Sequence, residues 1–207
     1  MLDFELQTDA STTLQVWKME EDLGQITAQT NLDTISGFGQ LSYKRQKEKA
    51  FVNFLLQREL PKARICYNEN GRPYLPDYPS TSISISHTGN FACLLLSRNH
   101  KKTGVDIEKN DTAKVLRVRH KFMVKEEITL YPTADEGIDA LLAWTTKEAL
   151  FKLADPPHYD FLEGFRITEC QITGNQGHSI VIDLLNNETY EVRHLLTQNY
   201  ALSMCVF

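Results

Sequence analysis

The sequence predicts an α+β protein built from two similar α+β halves, residues 1–102 and 103–207, packed with pseudo-two-fold symmetry. Three observations predict it. Each half contains one long stretch of helical periodicity, each closes on an apolar strand after a turn (NFACLLLS and NYALSMCVF), and the polar run SRNHKKTG separates the two.

In the first half, LSYKRQKEKAFVNFLLQREL (41–60) sets Tyr43, Ala50, Phe51, Phe54 and Leu55 on one helical face, with Ser42 as N-cap and Pro61 as stop. The Asn-, Gly- and Pro-rich YNENGRPYLPDYPS reads as a loop. TSISISHTGNFACLLLS then alternates Ser with Ile, turns at Thr88-Gly89-Asn90 and returns as an apolar strand, the pattern of a hairpin. In the second half GVDIEK is a strand, IDALLAWTTKEALFKLA (138–154) a helix, and strands follow near 165–172, 178–185 and 188–195 before the closing YALSMCVF.

At 207 residues, 42% hydrophobic and 24% charged, the chain can bury a sizeable core. A net charge of −5 argues against wholesale nucleic-acid binding. The four cysteines form no C-x-x-C pair and read as reduced residues of a cytosolic protein. MLDFELQTDA has acids where a secretory leader needs cations, and no apolar run approaches the ~18 residues of a membrane span. The expected location is the cytoplasm.

Side chains alternate along a strand, so Asp106 and Glu108 share one face of GVDIEK while Val105 and Ile107 take the other. Such a strand with a wet acidic face is ordinary. A third acid, Glu148, lies between Lys147 and Lys152 on the second helix, where Trp144, Glu148 and Lys152 form a stripe and Leu142, Ala149, Leu150 and Leu153 the core side. An i,i+4 pair of Glu148 with Lys152 would suffice for local stability. Three converging carboxylates would also suit a hard cation such as Mg²⁺, which leaves coordination positions for water and phosphate.

Lys44 and Arg45 occupy the first turn of their helix, where the macrodipole disfavours cations by ~0.3–1 kcal/mol. An anionic ligand would account for them, as would a solvated basic helix end. Arg72 and His87 sit on turns, where binding groups are often displayed.

In order along the chain stand GRPYLP (71–76), SISHT (84–88), GVDIE (104–108), KFMVKEEI (121–128) and WTTKEALFKL (144–153). On these five motifs the chain resembles the Sfp-type 4′-phosphopantetheinyl transferases. The resemblance implies Mg²⁺-dependent transfer of the phosphopantetheine arm of coenzyme A to a serine of an apo acyl or peptidyl carrier protein, with release of adenosine 3′,5′-bisphosphate. By the same resemblance Asp106, Glu108 and Glu148 would hold the metal, and Lys147 and Lys152 would contact the phosphates. Ser86 and His87, helped by Arg45, would hold the 3′-phosphate, while the Gly71–Tyr74 loop, with Arg72 and Pro73, would border the nucleotide. Glu127 would deprotonate the carrier serine, with Glu126 the alternative in register, and Lys152 and Glu148 would share the catalytic work. After the lysine-glutamate helix the family usually continues with glycines, whereas here the chain runs ADPPHYDFLEGF. No nucleic acid or membrane partner is implied, and a single chain with two halves is expected to act as a monomer.

A metal-dependent phosphohydrolase could use the same acids without a carrier, and a degenerate homologue could dock carriers without chemistry. The intact acids and both lysines speak against the second. The cationic run AKVLRVRHKFMVKEE (113–127), with Lys114, Arg117, Arg119, Lys121 and Lys125, is the expected docking surface for an acidic carrier.

Overall fold

The first residues alternate, with Phe4, Leu6 and Thr8 turned partly inward and their neighbours exposed, and they form strand β1 (Leu2–Asp9). A tight turn follows in which Asp9 Oδ1 accepts from the Ser11 amide (2.8 Å) and hydroxyl (2.6 Å), returning the chain as β2 (Thr12–Lys18). The computed structural model describes residues 1–99, 101–154 and 160–207, and these divide into two compact units, Met1–Lys102 and Thr103–Phe207.

In the first unit β1 and β2 join a second hairpin, β5 (Ser82–Thr88) and β6 (Phe91–Ser97), in an antiparallel sheet of order β1-β2-β6-β5. The short helix α1 (Leu23–Thr27) and the long helix α2 (Tyr43–Glu59) precede that hairpin, and α2 packs on β6. Ser42 caps α2 by accepting from the Arg45 amide at 3.5 Å, as the sequence predicts. Leu55 and Leu56 meet Trp17, Ile83, Leu94 and Leu96 in the core. Tyr43 leaves the expected apolar face: as the first residue of the helix it is 62% exposed and borders a surface hollow with Lys44 and Lys47. The predicted loop at 67–80 holds a miniature hairpin, β3 (Cys66–Tyr67) against β4 (Pro73–Tyr74), turned at Gly71 with φ of 82°.

The second unit carries an antiparallel sheet of order β7-β11-β10-β9-β8, from β7 (Thr103–Lys109), β8 (Phe165–Thr173), β9 (Gln176–Asp183), β10 (Glu188–Leu196) and β11 (Tyr200–Val206). Helix α3 (Thr112–Val118) leads through a turn at Arg119–Lys121 to α4 (Lys125–Ile128), then to α5 (Glu136–Ala154) and the short α6 (Phe161–Gly164). α5 packs across β7 and β11, where Leu141, Leu142, Leu150 and Leu153 join Phe122 and Phe165 in the core. Strand β9 stops two residues before the predicted end, because Asp183 Oδ1 accepts from the amides of Leu185 (2.9 Å) and Asn186 (3.2 Å) and turns the chain. His194 bridges three strands to the helix: its Nε2 lies 2.8 Å from Ser179 Oγ, its Nδ1 2.9 Å from Ser203 Oγ, and Ser203 Oγ 2.7 Å from Thr145 Oγ1. Burial pushes this imidazole down to about 3, so it is neutral. No helix among the described residues is long and apolar enough to cross a membrane.

Candidate functional site

Gly104, Asp106 and Glu108 alternate onto one face of β7, and that face meets α5. A Cβ on Gly104 would lie 1.9 Å from the carbonyl oxygen of Ala149, so only glycine lets helix and strand approach this closely. The approach sets Glu148, the neighbour of Ala149, beside the two strand acids. The ordinary alternative of a wet acidic face does not hold: Asp106 is 4% exposed under the helix, and Glu108 is half-buried.

Glu148 records the consequence. Burial, then the charge of Asp106, then to a smaller extent that of Glu108, raise its carboxyl to about 7 against the opposing pull of Lys152. Lys152 Nζ lies 2.7 Å from Asp106 Oδ1 and donates to Val105 O at 3.1 Å. Three carboxylates in one field, partly balanced by the Lys152 ammonium, are an oxygen-donor set whose chemistry fits Mg²⁺. As the side chains stand, no group of three or more His, Cys, Asp or Glu residues among those described is drawn together closely enough to hold a metal. Mutual repulsion and the Lys152–Asp106 bond oppose such convergence.

Lys147 and Glu127 meet in the interior of the second unit. Both side chains are 0% exposed and paired with each other, with Lys147 Nζ 2.9 Å from Glu127 Oε1. A phosphate contact and a base for an external serine both need access, which neither has in this arrangement. Glu126, the alternative in register, is exposed. Trp144 closes over this region, its ring 5.1 Å from that of Phe122 and 5.5 Å from that of Phe161. Part of the departure ADPPHYDFLEGF, residues 155–159, lies outside the described residues.

In the first unit Ile83, Ile85 and His87 leave one face of β5, the face packed on α2. This brings His87 to the helix start: its Nε2 is 3.5 Å from Arg45 Nη1 and 3.5 Å from Glu48 Oε2. Glu48, only 5% exposed, also lies 3.2 Å from Arg45 and 3.7 Å from Lys44. Arg45, Glu48, Lys49, Asn53, Tyr67 and His87 line one pocket. Tyr67 pairs with Pro73 across the β3–β4 hairpin, where Asn68 Oδ1 accepts from the Arg72 amide at 2.7 Å, so the GRP turn adjoins the pocket. Ser86, the neighbour of His87 on the strand, leaves from the opposite face and is 7% exposed.

Glu48 belongs to none of the five motifs, although its spacing of three from Arg45 and four from Lys44 marks paired charges on a helix. Gly104 stands within GVDIE, and a glycine inside a strand signals close backbone approach. Of the cationic run, Lys114, Arg117, Lys121 and Lys125 are exposed, while Arg119 is held by Glu136 at 2.7 Å.

Residues 102–205 match the family model described as ACPS, the 4′-phosphopantetheinyl transferase superfamily. No curated protein matches the chain.

Proposed function

The chain belongs to the 4′-phosphopantetheinyl transferase superfamily, whose activity is transfer of phosphopantetheine from coenzyme A to carrier proteins, and on that premise we propose an Sfp-type, Mg²⁺-dependent holo-carrier-protein synthase. The observation that carries this reading is the shared field of Asp106, Glu108 and Glu148, expressed in a Glu148 carboxyl raised to about 7. A buried cluster of like charges is costly in isolation and is stabilised by a divalent cation.

Asp106, Glu108 and Glu148 would hold Mg²⁺. The bound metal would offset charge on the coenzyme A pyrophosphate as the phosphoryl bond breaks. Lys152, now bonded to Asp106, is the nearby cation that can turn to phosphate once the acids have another counter-charge. In the reaction the carrier serine oxygen bonds to the phosphorus bearing the pantetheine arm, the bond from that phosphorus to the bridging oxygen breaks, and adenosine 3′,5′-bisphosphate leaves. The serine proton is lost to a base.

In the first unit the convergence of Arg45 and His87 supports the 3′-phosphate assignment, with two charge-assisted donors available to one anion when His87 is protonated. Glu48 beneath them fixes both side chains. Arg72 and Pro73, adjoining the same pocket, are the proposed border of the nucleotide.

The test supplies coenzyme A carrying a fluorophore on its thiol to a panel of apo acyl and peptidyl carrier proteins. Carrier fluorescence that requires Mg²⁺ and is absent with a chelator supports the proposal. Hydrolysis of the pyrophosphate with no labelled carrier would replace it with a phosphohydrolase.

A further inference from the structure

Lys147 Nζ has three protons and uses all of them. It donates to the carbonyls of Phe122 (2.6 Å) and Phe161 (3.0 Å) and to Glu127 Oε2 (3.0 Å). Glu127 is committed as fully: Oε2 also accepts from the Val124 amide at 3.0 Å, and Oε1 from the Ile167 amide at 2.8 Å. With zero exposure on both sides, this is a closed ion pair in the interior of the second unit.

We infer that Glu127 and Lys147 are positioning residues, a buried clamp that fixes α5 so that Glu148 faces Asp106, and that neither touches coenzyme A or the carrier serine. The pair ties together four segments: the Phe122–Glu127 stretch, α5, the start of α6 at Phe161, and β8 at Ile167. Successive residues on a helix point about 100° apart, so anchoring Lys147 inward sets where Glu148 points. A proton-abstracting role for Glu127 would require it to release Lys147 and two backbone amides. A phosphate-binding role for Lys147 would require it to abandon two carbonyls and leave a carboxylate buried alone, the arrangement that destabilises most. The clamp rests on the transferase reading only for naming what Glu148 serves.

The wild-type protein tests it directly, without any transferase activity. Treat it with an amine-acylating ester, with and without coenzyme A and Mg²⁺, and follow each lysine by mass spectrometry. Lys147 is expected to react more than about tenfold slower than Lys114, Lys121 and Lys125, with or without coenzyme A, because acylation must await local opening. Reaction of Lys147 at surface rates, suppressed by coenzyme A, would overturn the clamp in favour of a ligand contact. A second arm replaces both charges. Glu127→Leu/Lys147→Met is expected to melt above either single variant, and to transfer the arm with the wild-type dependence of kcat on pH, because no buried charge is left unpaired and no carboxylate at 127 is needed. A double variant that melts no higher than the singles, or one that folds and keeps its KM for coenzyme A yet has lost kcat, would also overturn it. A failed transfer assay in the wild type would count against the transferase reading and leave the acylation result intact.

Discussion

Gly104 of β7 lies under Ala149 of α5 with no room for a methyl group: a Cβ there would meet the Ala149 carbonyl oxygen at 1.9 Å and Leu153 Cβ at 2.9 Å. The obstacle is helix backbone, which cannot rotate away. Gly104→Ala must therefore lift the helix from the strand and carry Glu148 away from Asp106. Expected outcomes are a loss of about 1–3 kcal/mol of stability, by thermal or urea unfolding, and a weaker Mg²⁺ dependence of transfer. A variant with wild-type stability and Mg²⁺ requirement would contradict this geometry.

Glu148 makes the stability of the protein sensitive to pH. Its folded carboxyl sits near 7 against an ordinary 4.5, so between those values the folded state keeps a proton that the unfolded chain has released. Stability contributed at low pH is then lost as pH rises through that window, by a few kcal/mol, on the order of 3. Glu148→Gln should flatten the slope, and saturating Mg²⁺ should reduce it in the wild type. Urea unfolding at pH 5 and pH 7.5 with a chelator measures the slope, and equal slopes in wild type and variant would refute it.

His194 acts with the opposite sign. Its folded value near 3 lies below the ordinary 6.5, so as pH falls below 6.5 the unfolded chain binds a proton the folded state refuses, and stability drops. His194→Gln should be less stable than wild type at pH 7, through loss of the Ser179 and Ser203 bonds, and should show a smaller fall between pH 7 and pH 5. A parallel fall in both proteins would mean that His194 titrates normally.

Much of this arrangement is legible in the sequence, for reasons that differ by residue. The strand carrying Asp106 and the helix carrying Glu148 are strongly periodic, which places Asp106 and Glu108 on one strand face and Glu148 on one helix stripe, while grouping the three around one cation comes from the family resemblance. Lys147 and Glu127 cannot be placed that way, because a lysine within TTKEA and a glutamate within KEEI look like solvated surface until long-range packing supplies carbonyls and amides to satisfy them. The β1–β2 hairpin carries a weaker signal: Phe4 and Leu6 alternate opposite Val16 and Leu14, but β1 is largely exposed and its acids draw attention to the question of a leader instead. Ser86 and His87 stand side by side in one motif, where strand alternation separates their side chains.

The Arg45–Glu48–His87 cluster makes a prediction about substrate. Dephospho-coenzyme A should be a poorer substrate for the wild type by about 10–100-fold in kcat/KM, the range of a charge-assisted contact. Arg45→Ala and His87→Ala should each lose most of that discrimination, and Glu48→Gln part of it, since its carboxylate orients both. Steady-state kinetics with both substrates decide it. Undiminished discrimination in all three variants would move the 3′-phosphate elsewhere.

Carrier capture should depend on exposed cations. Arg117 stands in the last turn of α3 with Lys114, Lys121 and Lys125 nearby in sequence and exposed. Arg117→Glu is expected to lower kcat/KM for an acidic carrier by several-fold to about tenfold while leaving KM for coenzyme A unchanged, and wild-type capture should weaken with salt. Carrier kinetics indifferent to both changes would place docking on another face.

The most direct measurement follows the mass of an apo carrier protein incubated with coenzyme A, Mg²⁺ and either the wild type or Asp106→Ala, a substitution that removes one acid from the shared field without touching the Glu127–Lys147 pair. The expected result is one phosphopantetheine arm added to the carrier serine by the wild type, abolished by a chelator and by Asp106→Ala, with the variant still folded. Carriers left unmodified by the wild type across acyl and peptidyl types, or modified equally well by Asp106→Ala, would contradict the proposal that these carboxylates serve phosphopantetheine transfer.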